Sequence, residues 1–382
     1  MKVLRWLPGA LLLLPWLVAP LQPPDAARIR DLASPSTFRL LDWETQHVAA
    51  KAGALWSGLT SVAGASDADA DSLQAYFAAG ADRAALRPQA ESALQHLVAQ
   101  AYVDGGVGQA QPLPTAGLFP PVLVNLTPPP NVLVISPCTE LRVTTSEVLQ
   151  SMDVAAQERL ESAADSIGVS SLVAPIGGLA TYPSMVLEDD SAERVLSSVA
   201  HEWLHQYLIF YPLGKGYWTS QETREINETT AEMIGGEVGQ QLAARVGLAA
   251  PASPPSQATP APRTRRSAFD FRGFMRDTRG QTEALLAAGH VDEAEAYMRA
   301  RRDDLQQHGY YIRKLNQAYF ALYGSYGEGF AASPTNPIPR LLRSLRGNST
   351  SLGDFIYRVR DITSVAQLRE AAARASQTAL PA

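Results

Sequence analysis

Apolar residues recur every three to four positions through most of residues 25–110. The stretches "PSTFRLLDWETQHVAAKAGALWSGL" and "DADADSLQAYFAAGADRAALRPQAESALQHLVAQAYV" both carry this spacing, which predicts a helical N-terminal region. Gly105, Gly106, Gly108, Pro112 and Pro114 interrupt it. The pattern then changes. "LFPPVLVNL" and "NVLVISP", separated by Pro128, Pro129 and Pro130, predict two strands. "SEVLQSMDVAAQERLESAADSIG" predicts a helix with Ser146 as its N-cap and Gly168 near its end. "SSLVAPIGGLATYPSMV" predicts a further strand or strand pair. Helices are expected at about 190–211 and 220–246. The Pro, Ala and Ser-rich residues 247–266 have no apolar period and predict a flexible linker. Helical spacing returns in 267–382: a hairpin turning at Gly289, then "GYYIRKLNQAYFALYG" and "DFIYRVRDITSVAQLREAAARAS". The expected class is α+β and mostly helical, with a small sheet in residues 118–246 packed on a two-helix core and helical segments on either side.

Composition narrows the setting. With 46% apolar residues, the 382-residue chain can bury a core of one large or two modest domains. A net charge of −6 without a long basic block argues against a nucleic-acid partner. The single cysteine, Cys138, excludes an internal disulfide, and its place at the end of a strand pattern suggests a small buried hydrophobe. Residues 1–24 begin with Lys2 and Arg5 and continue apolar from Leu7 to Leu21, interrupted by Pro8, Pro15 and Pro20. That is a signal peptide or a retained N-terminal membrane anchor. It predicts an extracytoplasmic location, anchored or secreted, and the lack of disulfides favours a bacterial cell envelope over a eukaryotic secretory route.

The chemistry concentrates in "SSVAHEWLHQYLIF". On a helix, His201 and His205 share a face, so both imidazoles can reach one ion, with Glu202 beside them. Such a helix supplies two Zn2+ ligands and a general base. A catalytic zinc takes three protein ligands and keeps one position open. Glu225, Glu228 and Glu232 in "REINETTAEMIGGE" lie along one side of the next helix, and any of them could be the third.

"HEWLH" followed by "NETTAE" resembles the gluzincin metallopeptidases, the group of thermolysin-like and aminopeptidase N-like enzymes. The resemblance covers residues 170–240 at most. It implies a zincin-like catalytic region within 118–246, with zinc bound by His201, His205 and Glu228. It implies Glu202 as general base for the attacking water, and Glu232 as the acid that orients His201. The family places 18 or 19 residues between the second histidine and the ligand glutamate. Here Glu228 leaves 22 and Glu225 would leave 19. Glu228 is favoured because Asn227 precedes it and Glu232 follows four residues later. "PIGGLATYP" would be the edge strand on which a substrate backbone pairs; it lacks the acid that anchors a free amine in aminopeptidases. The family's oxyanion-stabilising Tyr or His has several candidates here: His308, Tyr310, Tyr311, Tyr319, Tyr323 and Tyr326. Asn316, Tyr319 and Tyr323 are expected on one helix face. The functional expectation is a zinc metallopeptidase acting on a peptide or protein substrate. The alternative is a non-catalytic, membrane-anchored helical protein with structural histidines or a structural zinc; a zinc hydrolase with a non-peptide substrate is a third reading.

Overall fold

The computed structural model describes residues 24–60, 64–110, 113, 115–189, 191–249, 269–325 and 329–378. The N-terminal segment and most of the predicted linker lie outside the described residues. Among the described residues no helix is long and apolar enough to cross a membrane.

The chain is mostly helical, with α+β organisation. Helices α1 (Pro24–Ala33), α2 (Leu40–Ala50), α3 (Ala52–Thr60), α4 (Asp67–Phe77) and α5 (Arg83–Asp104) come first. Strands β1 (Val124–Leu126), β2 (Asn131–Pro137) and β3 (Thr145–Leu149) follow, then α6 (Val154–Asp165), β4 (Val169–Pro175), β5 (Gly178–Leu179) and β6 (Ser184–Val186). Next stand α7 (Ala192–Leu208), the short α8 (Pro212–Lys215) and α9 (Gln221–Arg245). The C-terminal part holds α10 (Phe271–Ala287), α11 (Val291–Gln307), α12 (Gln317–Tyr323), α13 (Ile338–Gly347), α14 (Leu352–Val359) and α15 (Val365–Thr378).

Several boundaries differ from the sequence expectation. Thr145–Leu149 is a strand, paired antiparallel with β2, and the helix after it starts at Val154 under an Asp153 cap. Ser146 therefore caps nothing; "SEVL" tolerates either state, and pairing with β2 decides it. Asn316 is the N-cap of α12, accepting from the Tyr319 N–H at 3.0 Å, rather than part of a longer helical stripe. Helix is present as expected in residues 354–376, divided between α14 and α15. Cys138 is half-buried.

The strands among the described residues form two small three-stranded sheets. One has the order β3-β2-β4, antiparallel throughout, with Leu133 opposite Val173. Alternation along β2 sends Leu133 and Ile135 to one apolar cluster with Ile29 and Ala164, and Val134 to another with Met275, Met298 and Phe320. Burial on both faces explains why "NVLVISP" reads as a continuous apolar run. The second sheet has the order β1-β6-β5, with β1 parallel to β6 and β5 antiparallel to it. The chain crosses from one sheet to the other between Pro175 and Gly178.

The main core lies around α7 and α9. The buried stripe Val195, Leu196, Val199, Trp203, Leu204 and Tyr207 of α7 meets Ile226, Ile234, Val238 and Leu242 of α9. Residues from α5 and from α13, α14 and α15 join the same core, so the N- and C-terminal helical segments both brace this pair. Two polar side chains buried in this core are paired: Trp203 Nε1 donates to the Pro120 carbonyl at 2.7 Å, and Tyr102 Oη to that of Ala200 at 2.8 Å. Close approach of α7 and α9 needs Gly235, where a Cβ would stand 2.7 Å from the Ser197 carbonyl oxygen and 3.0 Å from His201 Cβ. The two helices that carry the candidate ligands are thus packed backbone to backbone.

Candidate metal centre

Helix α7 starts under a Ser191 cap, whose Oγ accepts from the Arg194 N–H at 3.3 Å. Three turns on, it presents His201, Glu202 and His205. Helix α9 starts under Ser220 and presents Glu228 two turns in. The histidine Nε2 atoms are 3.0 Å apart, and Glu228 Oε2 lies 3.6 Å from that of His201 and 3.5 Å from that of His205. A point equidistant from the corners of this triangle is about 2.0 Å from each, which matches zinc–nitrogen and zinc–oxygen bonds. Glu228 Oε2 is shut off from solvent and has no hydrogen-bond partner. An orphaned carboxylate oxygen facing two imidazole nitrogens is the donor set a divalent cation needs. Two histidines, one glutamate and no thiol suit zinc.

The surroundings fix the orientation of these ligands. Asn227 Nδ2 donates to the Leu213 carbonyl at 3.3 Å, which turns its Oδ1 to His205 Nδ1 at 2.7 Å. Nδ1 must therefore be the donor, and the lone pair of the neutral ring sits on Nε2, toward the centre. Glu228 Oε1 accepts from the Tyr217 hydroxyl. Burial and the Glu228 charge hold the Tyr217 phenol well above its ordinary pKa, so it stays protonated and remains a donor. Oε1 is thereby occupied, and Oε2 alone faces the histidines. The Leu213 carbonyl that holds Asn227 and the Tyr217 hydroxyl both come from α8 and the turn after it, between His205 and Glu228. Arg224 lies over the rings of Tyr217 and Trp218, 5.0 and 4.9 Å from their centroids, and steadies that turn.

Charge in this centre is strongly coupled. Burial opposes the Glu228 charge, yet His205 and His201 overcome it and hold the carboxyl well below the usual range. Burial likewise opposes a charge on His205, but Glu228 and Glu202 beside it raise the imidazole to about 9. Near neutral pH the ring therefore carries a proton that a metal ion would displace. Burial pushes Glu202 above its ordinary value, with the histidines opposing the shift and Glu228 reinforcing it. A carboxylate with raised basicity is suited to accept a proton.

Glu202 is covered by β5. A side chain at Gly178 would collide with Glu202 Oε1, so only glycine lets the strand pass there. Gly178–Leu179 is an edge of its sheet. The centre opens into a cavity of about 220 Å³. Residues of α7 and α9 line it together with Val132 and Val134 of β2, Val148 of β3 and Val143 just before β3.

Of the three glutamates, Glu228 is brought to the histidines. Glu225 turns elsewhere: its Oε1 accepts from Gln221 at 2.9 Å and its Oε2 from Asn336 at 3.3 Å. Three residues leave the two acids about 60° apart on the helix, and the Gln221 and Asn336 contacts turn Glu225 away. Glu232 is partly buried one turn beyond Glu228. The candidates for an oxyanion donor are spread out. His308 stacks on Phe269 and Tyr310 on Phe271, Tyr311 is 78% exposed, and Tyr319 packs against Tyr323 in the second core. Tyr326 lies outside the described residues. None of the five described candidates lines the cavity, whereas Tyr217 does. Its place in a turn of irregular spacing gave no signal. Glu44, also in the lining, was equally silent, since it arrives from a helix 138 residues before its partner Tyr182. His47, His96 and His290 stay away from the centre, on Trp43, Asp69 and Glu293 respectively.

No protein-family model matches the chain, and no match was found among curated proteins or solved structures.

Proposed function

We propose that this protein is a zinc-dependent metallopeptidase of gluzincin-like design. The observation that carries the reading is the convergence of His201 Nε2, His205 Nε2 and the orphaned Glu228 Oε2 on one point beside a buried glutamate in a cleft. His201, His205 and Glu228 hold the ion. Zinc bound there supplies Lewis acidity toward water and a substrate carbonyl. Glu202 takes the proton of the attacking water and passes it to the leaving nitrogen, helped by the raised basicity that burial confers. Asn227 keeps His205 in the ligand tautomer, Tyr217 occupies Oε1 of Glu228 and leaves Oε2 free, and Glu232 would support His201. The edge strand Gly178–Leu179 offers backbone groups to an extended peptide. The signal-like N-terminal segment supports export to the cell envelope.

The test pairs two variants with a peptide library. Wild type binds one zinc per chain and cleaves peptides; His205→Ala loses the metal; Glu202→Gln keeps it and loses turnover by about 10²–10⁴-fold. Hydrolysis that persists in Glu202→Gln removes the assigned base. Zinc bound without any hydrolysis by wild type favours a structural site instead.

A further inference from the structure

Helix α2 buries a single residue, and that residue is an acid. Its Leu41 is 51% exposed while Glu44 is 6% exposed, the reverse of how a surface helix normally packs. Glu44 Oε1 accepts from the Tyr182 backbone N–H at 3.0 Å. Its Oε2 is sealed from solvent and has no hydrogen-bond partner. No ion pair among the described residues includes it. Burial raises its carboxyl to about 7, and the Tyr182 bond offsets this only in part. Leaving a buried acceptor unmade is costly, so such a group persists where something else fills it.

Its location says what that is. Glu44 lines the same cavity as His201, Glu202 and His205. The carbonyl of Thr181, next to Tyr182, accepts from Gln206, one helical turn beyond Glu202 on α7. Glu44 therefore borders the cleft near the next turn of the metal-bearing helix. It supplies an acid to the "GGLATYP" segment, which has none of its own.

We propose that Glu44 is a substrate-recognition residue that takes a cationic group of a peptide, an ammonium or guanidinium, into this cleft. The proposal rests on the metallopeptidase reading. An arriving cation would hold Glu44 in its ionised form, and the side chain would turn its sealed Oε2 toward the cleft to make a charge-assisted hydrogen bond. Two sources share this chemistry: a free N-terminus and a Lys or Arg side chain.

The experiment uses matched peptides, with the N-terminus free or acetylated and with Lys or norleucine at each position around the cleaved bond. For each pair, kcat/KM is measured with zinc-loaded wild type and Glu44→Gln. The Kd of the same peptides is measured by calorimetry on zinc-loaded Glu202→Gln, with and without Glu44→Gln. Glutamine keeps an acceptor for Tyr182, and thermal melting verifies the fold. Wild type is expected to prefer one cationic member over its neutral match by about tenfold or more, and Glu44→Gln to bring that ratio close to one. Loss of the preference on acetylation assigns the N-terminus; its loss with norleucine assigns a side chain. A wild-type ratio near one, or a ratio unchanged in a folded Glu44→Gln, overturns the proposal, and the wild-type ratio decides alone if the variant does not fold. Cationic peptides that bind through Glu44 but are never cut leave the recognition role and remove the peptidase reading. Peptides cut without charge preference do the opposite.

Discussion

Two buried acidic clusters in this protein are built on opposite terms. Behind the β3-β2-β4 sheet, Glu161 receives Arg313 at 2.8 and 2.5 Å on its two oxygens and the Val173 N–H at 2.6 Å, with Lys314 3.6 Å away. Lys314 also reaches Asp165 at 2.8 Å, and Asp165 accepts from Ser171. Every charge there has a permanent partner. In the cleft, Glu228 and Glu44 each keep one sealed oxygen without a hydrogen bond. A buried acid that ties two parts of the chain together is fully paired, because an unpaired one weakens the fold it serves. A buried acid with a vacant lone pair calls for another occupant, an ion, a water or a ligand group. The contrast separates a structural cluster from a candidate site without reference to any relative.

The largest effect expected from breaking this contrast is on the structural side. Glu161→Ala strands the Arg313 guanidinium in a mostly buried position and removes the acceptor of the Val173 N–H. It should lower the unfolding free energy by about 3–5 kcal/mol, with zinc affinity unchanged in the molecules that remain folded. Denaturant melts of metal-free protein and a chelator competition measure the two quantities. A loss below about 1 kcal/mol would place Glu161 outside the structural class.

Glu44 should behave in the reverse manner. Its carboxyl titrates near 7 in the folded chain against an ordinary value of 4.5. Between those two pH values the unfolded chain has given up the proton and the folded chain still holds it. Native protein then binds more protons, so the stability contributed by the protonated acid is present below about 4.5 and is lost as pH rises through 7. Glu44→Gln carries no such dependence. Metal-free Glu44→Gln should match wild type near pH 4.5 and exceed it at pH 8 by on the order of 3 kcal/mol, the equivalent of the shift. Parallel stability–pH curves for the two proteins would show that Glu44 pays no burial penalty.

What could be read along the chain was local. His201, Glu202 and His205 are one helical turn, and periodicity alone sets their faces. The main helices and the mostly helical α+β class follow from apolar spacing. The choice between Glu225 and Glu228 depended on motif context, because two acids three residues apart look equivalent until a partner fixes the azimuth. Thr145–Leu149 was misread because its state depends on β2 pairing, with no alternation of its own to reveal it. Tyr217 and Glu44 were invisible because the contacts that give them meaning are made with Glu228 and Tyr182, on elements that meet only in the folded chain.

Asn227 lies between these extremes and gives the smallest effect. In the sequence it served only to distinguish Glu228 from its neighbours. In the fold it is wholly buried, held by the Leu213 carbonyl, and it dictates which nitrogen of His205 carries the proton. Asn227→Ala leaves all three candidate ligands in place and frees His205 to rotate or to protonate Nε2, so zinc affinity should fall by about 10–100-fold. Asn227→Asp keeps an acceptor for Nδ1 and should retain more of the affinity than alanine does. Competition with a chromophoric chelator at fixed pH gives both values. Equal affinities for wild type and Asn227→Ala would mean that His205 is not a ligand through Nε2, and the centre would lose the corner that defines it.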